Sequence, residues 1–190
     1  RGRERSRRPE DILAEVKQLI GSGYRDITLL GQNVNSYGRG LDDPIDFADL
    51  LAQIAELDGD FLVRFMTSHP KDASKKLFDV MASHAKIAKH LHLPFQSGSD
   101  RILKAMNRRY TAQEYLDLVQ YAKSVMPDLV LTSDVIVGFP GETDEDFEKT
   151  LELVNAVEYD ALFTFLFSPR RGTPAASLPD PMPKEDKQRN

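Results

Sequence analysis

Helix-like and strand-like segments alternate along almost the whole chain, and this alternation is the strongest constraint on its fold. The first helix is predicted over 9–22, where Ile12, Val16 and Leu19 share one face. A short apolar strand is predicted over 26–30, and the same helix–strand unit recurs as far as residue 167. Strands that alternate with helices pair in parallel through right-handed crossovers, so the pattern indicates an α/β fold.

The remaining elements are predicted from the same signals. Further strands are expected at 61–66, 90–93, 129–137 and 161–167, and further helices at 46–57, 70–83, 100–106, 112–124 and 143–157. The strand at 129–137 is nearly continuous in apolar residues, as expected when both faces of a sheet are covered. Five strands are too few for a closed eight-stranded barrel, which typically takes about 250 residues. The residues therefore predict an open doubly wound sheet or a partial barrel.

Composition excludes several kinds of chemistry. None of the 190 residues is a cysteine, so the chain offers no disulfide, no thiolate nucleophile and no iron–sulfur ligand. Its net charge of −5 argues against a uniformly basic RNA-binding surface. No apolar stretch is long enough to span a membrane, and no signal peptide is visible, so a cytoplasmic location without membrane contact is expected.

The two ends of the chain are unlike its interior. Five arginines lie among the first eight residues: Arg1, Arg3, Arg5, Arg7 and Arg8. They form either a solvated tail or a contact with nucleic-acid phosphates. The Pro-broken, polar segment 178–190 is typical of a linker. We therefore expect the chain to be part of a longer protein.

Glycines and polar residues follow every predicted strand. These clusters contain Gly31, Ser68, Gln96, Gly138 and Arg170. In parallel α/β folds the ligand site lies outside the carboxyl ends of the strands, so the clusters are expected at one rim. Amide, hydroxyl and glycine groups dominate them, which predicts a polar small molecule held by hydrogen bonds rather than a hard-metal cage.

Several of these residues allow two interpretations. Gly138 serves either a tight turn alone or a close approach of backbone to ligand. Asp134, inside an apolar strand, either faces a functional site or caps a neighbouring loop. Glu142 is either a first-turn acid of the next helix or a ligand contact. His90 and His92 share one strand face, but no third ligand is evident, so no metal site is predicted.

Six segments of the chain, in order, resemble the central radical-SAM domain of the tRNA methylthiotransferases of the MiaB type. They are RGRERSRRPEDI (1–12), TLLGQNVNSYG (28–38), TSHP (67–70), HLHLPFQSGSDRILKAMNRRY (90–110), SDVIVGFPGET (133–143) with DFEKT (146–150), and FSPRRGTPAA (167–176). The resemblance implies a partial (β/α) barrel with a parallel sheet, whose first strand and cluster loop are missing from this chain. Residues 1–177 are then a truncated radical-SAM core domain, and 178–190 a linker towards an RNA-binding TRAM domain.

The resemblance implies an enzyme that adds a methylthio group to C2 of N6-isopentenyl-adenosine next to the tRNA anticodon. Its cofactors are S-adenosylmethionine and two 4Fe–4S clusters, and its partners are tRNA and donors of sulfur and electrons. The cysteine triplet C-x-x-x-C-x-x-C is expected a few residues before Arg1. The 190 residues alone are therefore expected to hold no catalytic residue, no cluster and no activity, and to bind S-adenosylmethionine weakly.

Residue roles are implied by position in the resembling segments. The residues expected at the cofactor are Gly31, Gln32, Asn33, Gln96, Ser97, Val137, Gly138, Phe139 and Pro140. Those expected behind them or facing the substrate are Asn35, Ser68, His69, His92, Asp134, Glu142 and Arg170. The five N-terminal arginines are expected to meet tRNA phosphates.

Other functions stay open at this stage. Within the family, the substrate is alternatively threonylcarbamoyl-adenosine or an aspartate of a ribosomal protein. Outside it, a non-radical α/β-barrel enzyme acting on a phosphorylated small molecule is an alternative, because GFPGET (138–143) resembles a glycine-rich phosphate loop at a helix start. An RNA-binding module is a third alternative, which the net charge disfavours.

Overall fold

A computed structural model describes residues 5–42, 44–66, 68–170, 172–179 and Lys187, and it confirms the α/β class with parallel strands. The helices are α1 (Pro9–Gly21), α2 (Phe47–Ala55), α3 (Lys75–Ser83), α4 (Asp100–Ala105), α5 (Ala112–Val125) and α6 (Asp144–Val157). The strands are β1 (Asp26–Leu29), β2 (Leu62–Phe65), β3 (His90–His92), β4 (Val130–Val137) and β5 (Ala161–Leu166). Each element that the sequence predicts is present, with one correction.

The correction concerns the helix predicted at 70–83. A short 3-10 helix occupies Pro70–Asp72, and Ala73 is extended, so the helical hydrogen bonding is interrupted there. The α-helix begins only at Lys75, because Ser74 is its N-cap and its Oγ accepts a hydrogen bond from the Leu77 N–H at 3.2 Å. A serine that caps a helix in this way competes with a helical path through it.

The described residues form two compact units, of which the first runs up to His92 and includes Tyr121–Val130. In it β1 and β2 pair in parallel, with Asp26 opposite Leu62 and Leu29 opposite Phe65. One face of this pair packs on the helices, and the Phe65 ring meets Phe47 of α2 edge-on with centroids 5.0 Å apart. Burial of this apolar face positions the loops that follow the two strands.

The second unit comprises Leu93–Gln120 and the residues from Leu131 onward. In it β4 and β5 pair in parallel, and the chain at 93–96 runs along the other edge of β4 through hydrogen bonds from Leu93 N to Thr132 O and from Gln96 N to Asp134 O. Phe95 and Tyr115 are fully buried, and the Tyr115 hydroxyl donates to the Leu93 carbonyl at 2.9 Å. This packing fixes where the strand-end loops of the second unit begin.

Two predictions fall partly outside the described residues. Arg1 and Arg3 lie there, as does most of the predicted linker at 178–190. Within the described ranges, no helix is long and apolar enough to cross a membrane.

Candidate cofactor-binding site

The predicted cofactor residues at the end of β1 border a cavity of about 520 Å³ in the first unit. Gly31, Gln32 and Asn33 begin two residues after the last residue of β1 and lie along the wall of this cavity. Apolar side chains such as Val16 of α1 and Phe47 of α2 also line it. A cavity with apolar walls and a few polar groups at one edge is typical of a small-molecule site.

Asn33 is the most informative residue at this cavity. Its Nδ2 donates to Asp72 Oδ2 at 2.6 Å, which fixes the orientation of the amide. Its Oδ1 is buried and accepts no hydrogen bond from any residue that the structure describes. A buried acceptor left unpaired costs about 1–3 kcal/mol, so the position is suited to a ligand that donates a hydrogen bond.

Asn35 ties the loop after β1 to the loop after β2. It is buried, its Oδ1 accepts from the His69 N–H at 3.0 Å, and its Nδ2 donates to the His69 carbonyl at 3.3 Å. The His69 ring in turn accepts from the Lys71 N–H, which starts the short helix at Pro70. Asn35 and His69 therefore hold the backbone around the cavity, and their predicted role near a cofactor stays a prediction.

Two more residues near this loop, Ser68 and Asp72, differ in their hydrogen bonding. Ser68 is buried, and within the described ranges its Oγ makes no hydrogen bond. Asp72 accepts from the Arg39 guanidinium at 2.6 Å as well as from Asn33. Asp72 is not among the residues predicted from the sequence, because nothing in its local pattern distinguishes it from an ordinary first-turn acid.

The described N-terminal arginines lie beside the same cavity or at the start of α1. Arg5 and Arg7 border the cavity, and Arg7 pairs with Glu15 at 2.6 Å. Arg8 is the N-cap residue of α1 and lies 3.3 Å from Glu10. Exposed pairs of this kind contribute about 0–1 kcal/mol, so they leave the arginines able to exchange partners for phosphates.

Tyr37 links the N-terminal segment to the loop that follows β1. Its hydroxyl donates to the Arg7 carbonyl at 2.8 Å. Burial raises the pKa of the Tyr37 hydroxyl, and the nearby Glu10 carboxylate raises it further. Tyr37 therefore stays a neutral hydrogen-bond donor at physiological pH.

In the second unit, the turn after β4 carries the other predicted cofactor residues. Val137, Gly138, Phe139 and Pro140 are all buried. Gly138 has φ +70°, the left-handed region that favours glycine, and its N–H donates to a carboxylate oxygen of Glu142. The Gly138 carbonyl accepts from Lys187 Nζ at 2.9 Å. Both backbone polar groups of Gly138, its N–H and its carbonyl, are therefore hydrogen-bonded within the protein.

Glu142 closes this turn rather than starting the helix. The helix α6 begins at Asp144 with Thr143 as its N-cap, so the interpretation of Glu142 as a first-turn acid is wrong. Burial raises the pKa of the Glu142 carboxyl, and hydrogen bonds from the Gly138 and Phe139 N–H groups oppose the rise. Gly138 is held by the Glu142 carboxylate, which is a positioning contact within the turn.

The loop at Gln96 and Ser97 departs from regular backbone geometry. Gln96 is a non-glycine residue with φ +71°, and it pairs with β4 through Asp134 and Ile136. Such a conformation costs about 1–3 kcal/mol and is concentrated at functional sites. The Ser97 Oγ lies 3.4 Å from Thr150 Oγ1 and accepts from the Ser99 N–H at 3.2 Å, so it is engaged within the protein.

Asp146 connects the Gln96 loop to the start of α6. Its buried carboxylate accepts from Ser99 Oγ at 2.6 Å, from the Thr143 N–H at 3.0 Å and from the Arg101 guanidinium. Burial alone would raise the pKa of Asp146, but these hydrogen bonds outweigh it and hold the pKa well below its ordinary value. This role of Asp146 was not predicted from the sequence, although the capping-box spacing of Thr143 and Asp146 is a signal for part of it.

The remaining predicted residues lie near these loops without a resolved role. Asp134 is half-buried on β4, His92 ends β3, and Arg170 is exposed beyond β5. Across the described part of the chain, no three His, Asp or Glu side chains are grouped so that they would hold a metal ion.

Sequence comparison shows which known proteins the chain is similar to. Residues 1–154 match the family model described as the radical SAM superfamily. The chain is 56% identical over 189 residues to the tRNA-2-methylthio-N(6)-dimethylallyladenosine synthase of Desulfitobacterium hafniense, covering 100% of this chain and 42% of that protein. The enzyme of the same name from Carboxydothermus hydrogenoformans is 57% identical, with 100% and 43% covered. The chain thus spans about two fifths of the length of these relatives, which confirm the resemblance to the tRNA methylthiotransferases.

Solved structures with low sequence identity show the fold. Coproporphyrinogen III oxidase from Escherichia coli, described as a radical SAM enzyme, superposes with a TM-score of 0.68 at 17% identity, covering 95% of this chain and 44% of that one. Methylornithine synthase superposes with a TM-score of 0.58 at 16% identity, covering 90% and 48%. The predicted radical-SAM type of α/β fold is confirmed.

Proposed function

The chain belongs to the radical SAM superfamily, and on that premise we propose that it binds S-adenosylmethionine within a tRNA methylthiotransferase. The proposed reaction adds a methylthio group to C2 of N6-isopentenyl-adenosine beside the tRNA anticodon. Support comes from the relatives above 50% identity, whose name describes a 2-methylthio adenosine product. The proposed partners are tRNA and donors of sulfur and electrons, and a tRNA substrate is consistent with a cytoplasmic location.

The observation that carries the proposal is the unpaired Asn33 Oδ1 at the cavity. The methionyl ammonium of S-adenosylmethionine donates up to three hydrogen bonds, and an amide oxygen with no other donor is a matched acceptor. Gly31 and Gln32 lie beside it, and their exposed backbone and amide groups supply further contacts to the amino acid. These residues therefore bind and orient the methionyl end.

In the second unit, the proposed roles follow from the burial and polarity of the residues in the turn after β4 and in the Gln96 loop. Val137, Gly138, Phe139 and Pro140 present a buried, largely apolar surface that suits adenine packing. The strained Gln96 and its neighbour Ser97 are proposed for the ribose hydroxyls or the carboxylate. Glu142, Asp146 and Lys187 hold the backbone of these loops in place and do not react.

The residues of this chain do not fit an iron–sulfur cluster. Cluster ligation needs cysteine thiolates, and the 190 residues contain none. We therefore assign no step of the reaction to a cluster here and expect no turnover from these residues alone. S-adenosylmethionine, when bound, supplies the reactive adenosyl and methyl groups, while the chain binds, orients and shields it.

The proposal is tested by titrating the ¹⁵N-labelled chain with three compounds and following backbone and side-chain amide shifts. Methionine should shift Gly31 and the Asn33 amide, whereas 5′-methylthioadenosine, which lacks the amino acid, should shift Gly138 and Phe139. S-adenosylmethionine should shift both sets, with saturation only at high micromolar to millimolar concentration.

The variant Asn33→Leu serves as the matched test of the ammonium contact. It should abolish the methionine-dependent shift of Gly31 and leave the shifts from 5′-methylthioadenosine unchanged. Shifts confined to residues outside these two loops, or none at millimolar S-adenosylmethionine, would reject the proposed binding function.

A further inference from the structure

Lys187 is buried in the second unit, with only 7% of its surface exposed. Lysine is among the residues that are almost never fully buried unless the charged group is paired. Lys187 also lies within 178–190, the segment that the sequence predicts as a linker, where a lysine side chain should be solvated. Its burial therefore indicates a specific role for this side chain.

The Lys187 side chain lies directly on Gly138, in the turn after β4. Its Nζ donates to the Gly138 carbonyl at 2.9 Å. A Cβ atom added at Gly138 would lie 2.7 Å from Lys187 Cδ and 2.8 Å from Lys187 Cγ, which is closer than carbon atoms pack. Glycine is therefore required here by the contact with Lys187 as well as by the φ of +70°.

Lys187 and Glu142 hold the peptide group between Gly138 and Phe139 from its two sides. Lys187 binds the carbonyl oxygen of this peptide, and the Phe139 N–H hydrogen-bonds to the Glu142 carboxylate. The carbonyl and the N–H of a planar trans peptide point in opposite directions, so two charged partners fix its plane. Without such partners, a glycine in a turn adopts positive and negative φ about equally readily.

The electrostatics of the turn agree with this arrangement. Burial raises the pKa of the Glu142 carboxyl most strongly, whereas the N–H groups of Gly138 and Phe139 and the positive charge of Lys187 lower it. The ammonium group therefore favours the ionised form of the carboxylate that accepts from the turn.

We propose that Lys187 is a positioning residue for the adenine end of S-adenosylmethionine. This inference rests on the proposed function, in which residues 137–140 pack against adenine. By fixing the peptide after Gly138, Lys187 sets the direction in which Phe139 leaves the turn, and the Phe139 ring meets Phe167 edge-on with centroids 5.0 Å apart. The segment 178–190 then contributes to cofactor binding instead of serving only as a connection.

Lys187→Met tests the inference, because methionine keeps an unbranched side chain and removes the ammonium group. Without ligand, the Gly138 and Phe139 amide signals of the ¹⁵N-labelled chain should be single, and in the variant they should broaden or double as the turn exchanges. The variant should bind 5′-methylthioadenosine about tenfold more weakly, the loss expected for one charge-assisted hydrogen bond. Its affinity for methionine, which lacks the adenine, should stay unchanged.

Three further variants complete the experiment, each checked for folding by circular dichroism. Lys187→Arg keeps the charge and the donors, so it should restore the 5′-methylthioadenosine affinity to within about threefold. Lys187→Gln keeps a donor without the charge and should weaken that binding by a smaller factor than Lys187→Met. Lys149→Met is the matched control, because Lys149 is exposed on α6 and pairs with Glu145 at 2.8 Å, and it should change neither affinity.

Unchanged or tighter binding of 5′-methylthioadenosine by Lys187→Met would overturn the inference. An equal loss of methionine binding, or no recovery in Lys187→Arg, would show a general packing effect and would overturn it as well. Absence of 5′-methylthioadenosine shifts in the unaltered chain would instead count against the proposed function, since the ligand-free Gly138 and Phe139 signals still decide whether Lys187 fixes the turn.

Discussion

The two sets of loops that carry the predicted cofactor residues differ in how completely their polar groups are paired. In the second unit, the Asp146 carboxylate accepts from Ser99, Arg101 and Thr143. In the first unit, the loop after β1 leaves the Asn33 Oδ1 with no donor from the described residues. The second-unit loops are stabilised by the protein itself, whereas the first-unit loop has a buried acceptor that the described residues leave unpaired. Under the proposed function, this difference separates residues that hold the site from the residue that contacts the ligand.

Of the substitutions considered, Gly98→Ala should destabilise the second-unit loops most. A Cβ atom at Gly98 would lie 2.3 Å from the Lys149 carbonyl oxygen and 2.6 Å from the Thr150 Cα, both of them backbone atoms. Because backbone on α6 cannot move aside as a side chain does, we expect a loss of about 3 kcal/mol in the free energy of unfolding. Chemical denaturation measures it.

Gly21→Ala is the control for this substitution. Gly21 ends α1, and a Cβ atom there has no neighbour within 4 Å. Alanine should therefore leave the stability unchanged or raise it by up to about 1 kcal/mol. If both variants behaved alike, the close packing of the Gly98 loop on α6 would be refuted.

Removal of the carboxylate at the centre of the paired network should have the next largest effect. Asp146→Ala leaves the buried Ser99 hydroxyl without its acceptor and removes the carboxylate partner of Arg101, whose guanidinium keeps only the Gly141 carbonyl, and we expect a loss of about 2–3 kcal/mol. Asp144→Ala, which removes an exposed acid two residues earlier in the same first turn, should cost less than about 1 kcal/mol. Similar losses in the two variants would show that Asp146 acts only through the helix dipole.

The pH dependence of stability also tests the contribution of the Asp146 carboxylate. The folded state lowers the pKa of Asp146, so its contribution is fully present above the pKa of the unfolded chain, about 3.9, and is lost as the pH falls below it. Glu142 has the opposite sign, because burial raises its folded pKa and its protonation favours the folded state. Denaturation between pH 6 and pH 2.5 should show stability falling by about 1–2 kcal/mol through Asp146. Asp146→Asn should flatten this fall, and Glu142→Gln should steepen it.

The smallest effect is expected at the residue with the unpaired oxygen. Asn35→Ala breaks two hydrogen bonds to the His69 backbone and should cost about 1–2 kcal/mol. Asn33→Ala removes one hydrogen bond to Asp72 together with a buried unpaired oxygen, and should cost less than about 1 kcal/mol. Thermal unfolding compares the two. A larger loss for Asn33 than for Asn35 would mean that Asn33 is a structural residue and not one reserved for a ligand.

Much of the fold was predictable because its signals are local. The capping boxes at Thr111–Glu114 and Thr143–Asp146 are present, with the Thr143 hydroxyl accepting from the Asp146 N–H. The apolar strand at 129–137 is β4, shortened by one residue. The break at Ala73 was not predicted, because Pro70 and Ser74 are both good helix starts and periodicity does not decide between them.

The candidate site was predictable in part. The strand-end position of Gly31, Gln32 and Asn33 follows from the order of elements alone. The unpaired Oδ1 of Asn33 and the pairing of Asn35 with His69 depend on which loops meet, and a single sequence does not encode that locally. The exposure of Phe163 and Phe165 was equally unpredictable from the sequence, since an apolar strand is expected to be covered on both faces.

The double role of Asp146 restricts how this region can change in length. It is the third residue of α6 and at the same time the acceptor for Ser99 and Arg101. Successive residues of an α-helix are turned by about 100°, so one residue added between Thr143 and Asp146 would point the carboxylate away from Ser99. Variation here should therefore be tolerated as exchange of one side chain for another, whereas a single insertion or deletion would detach the Gln96 loop from its support.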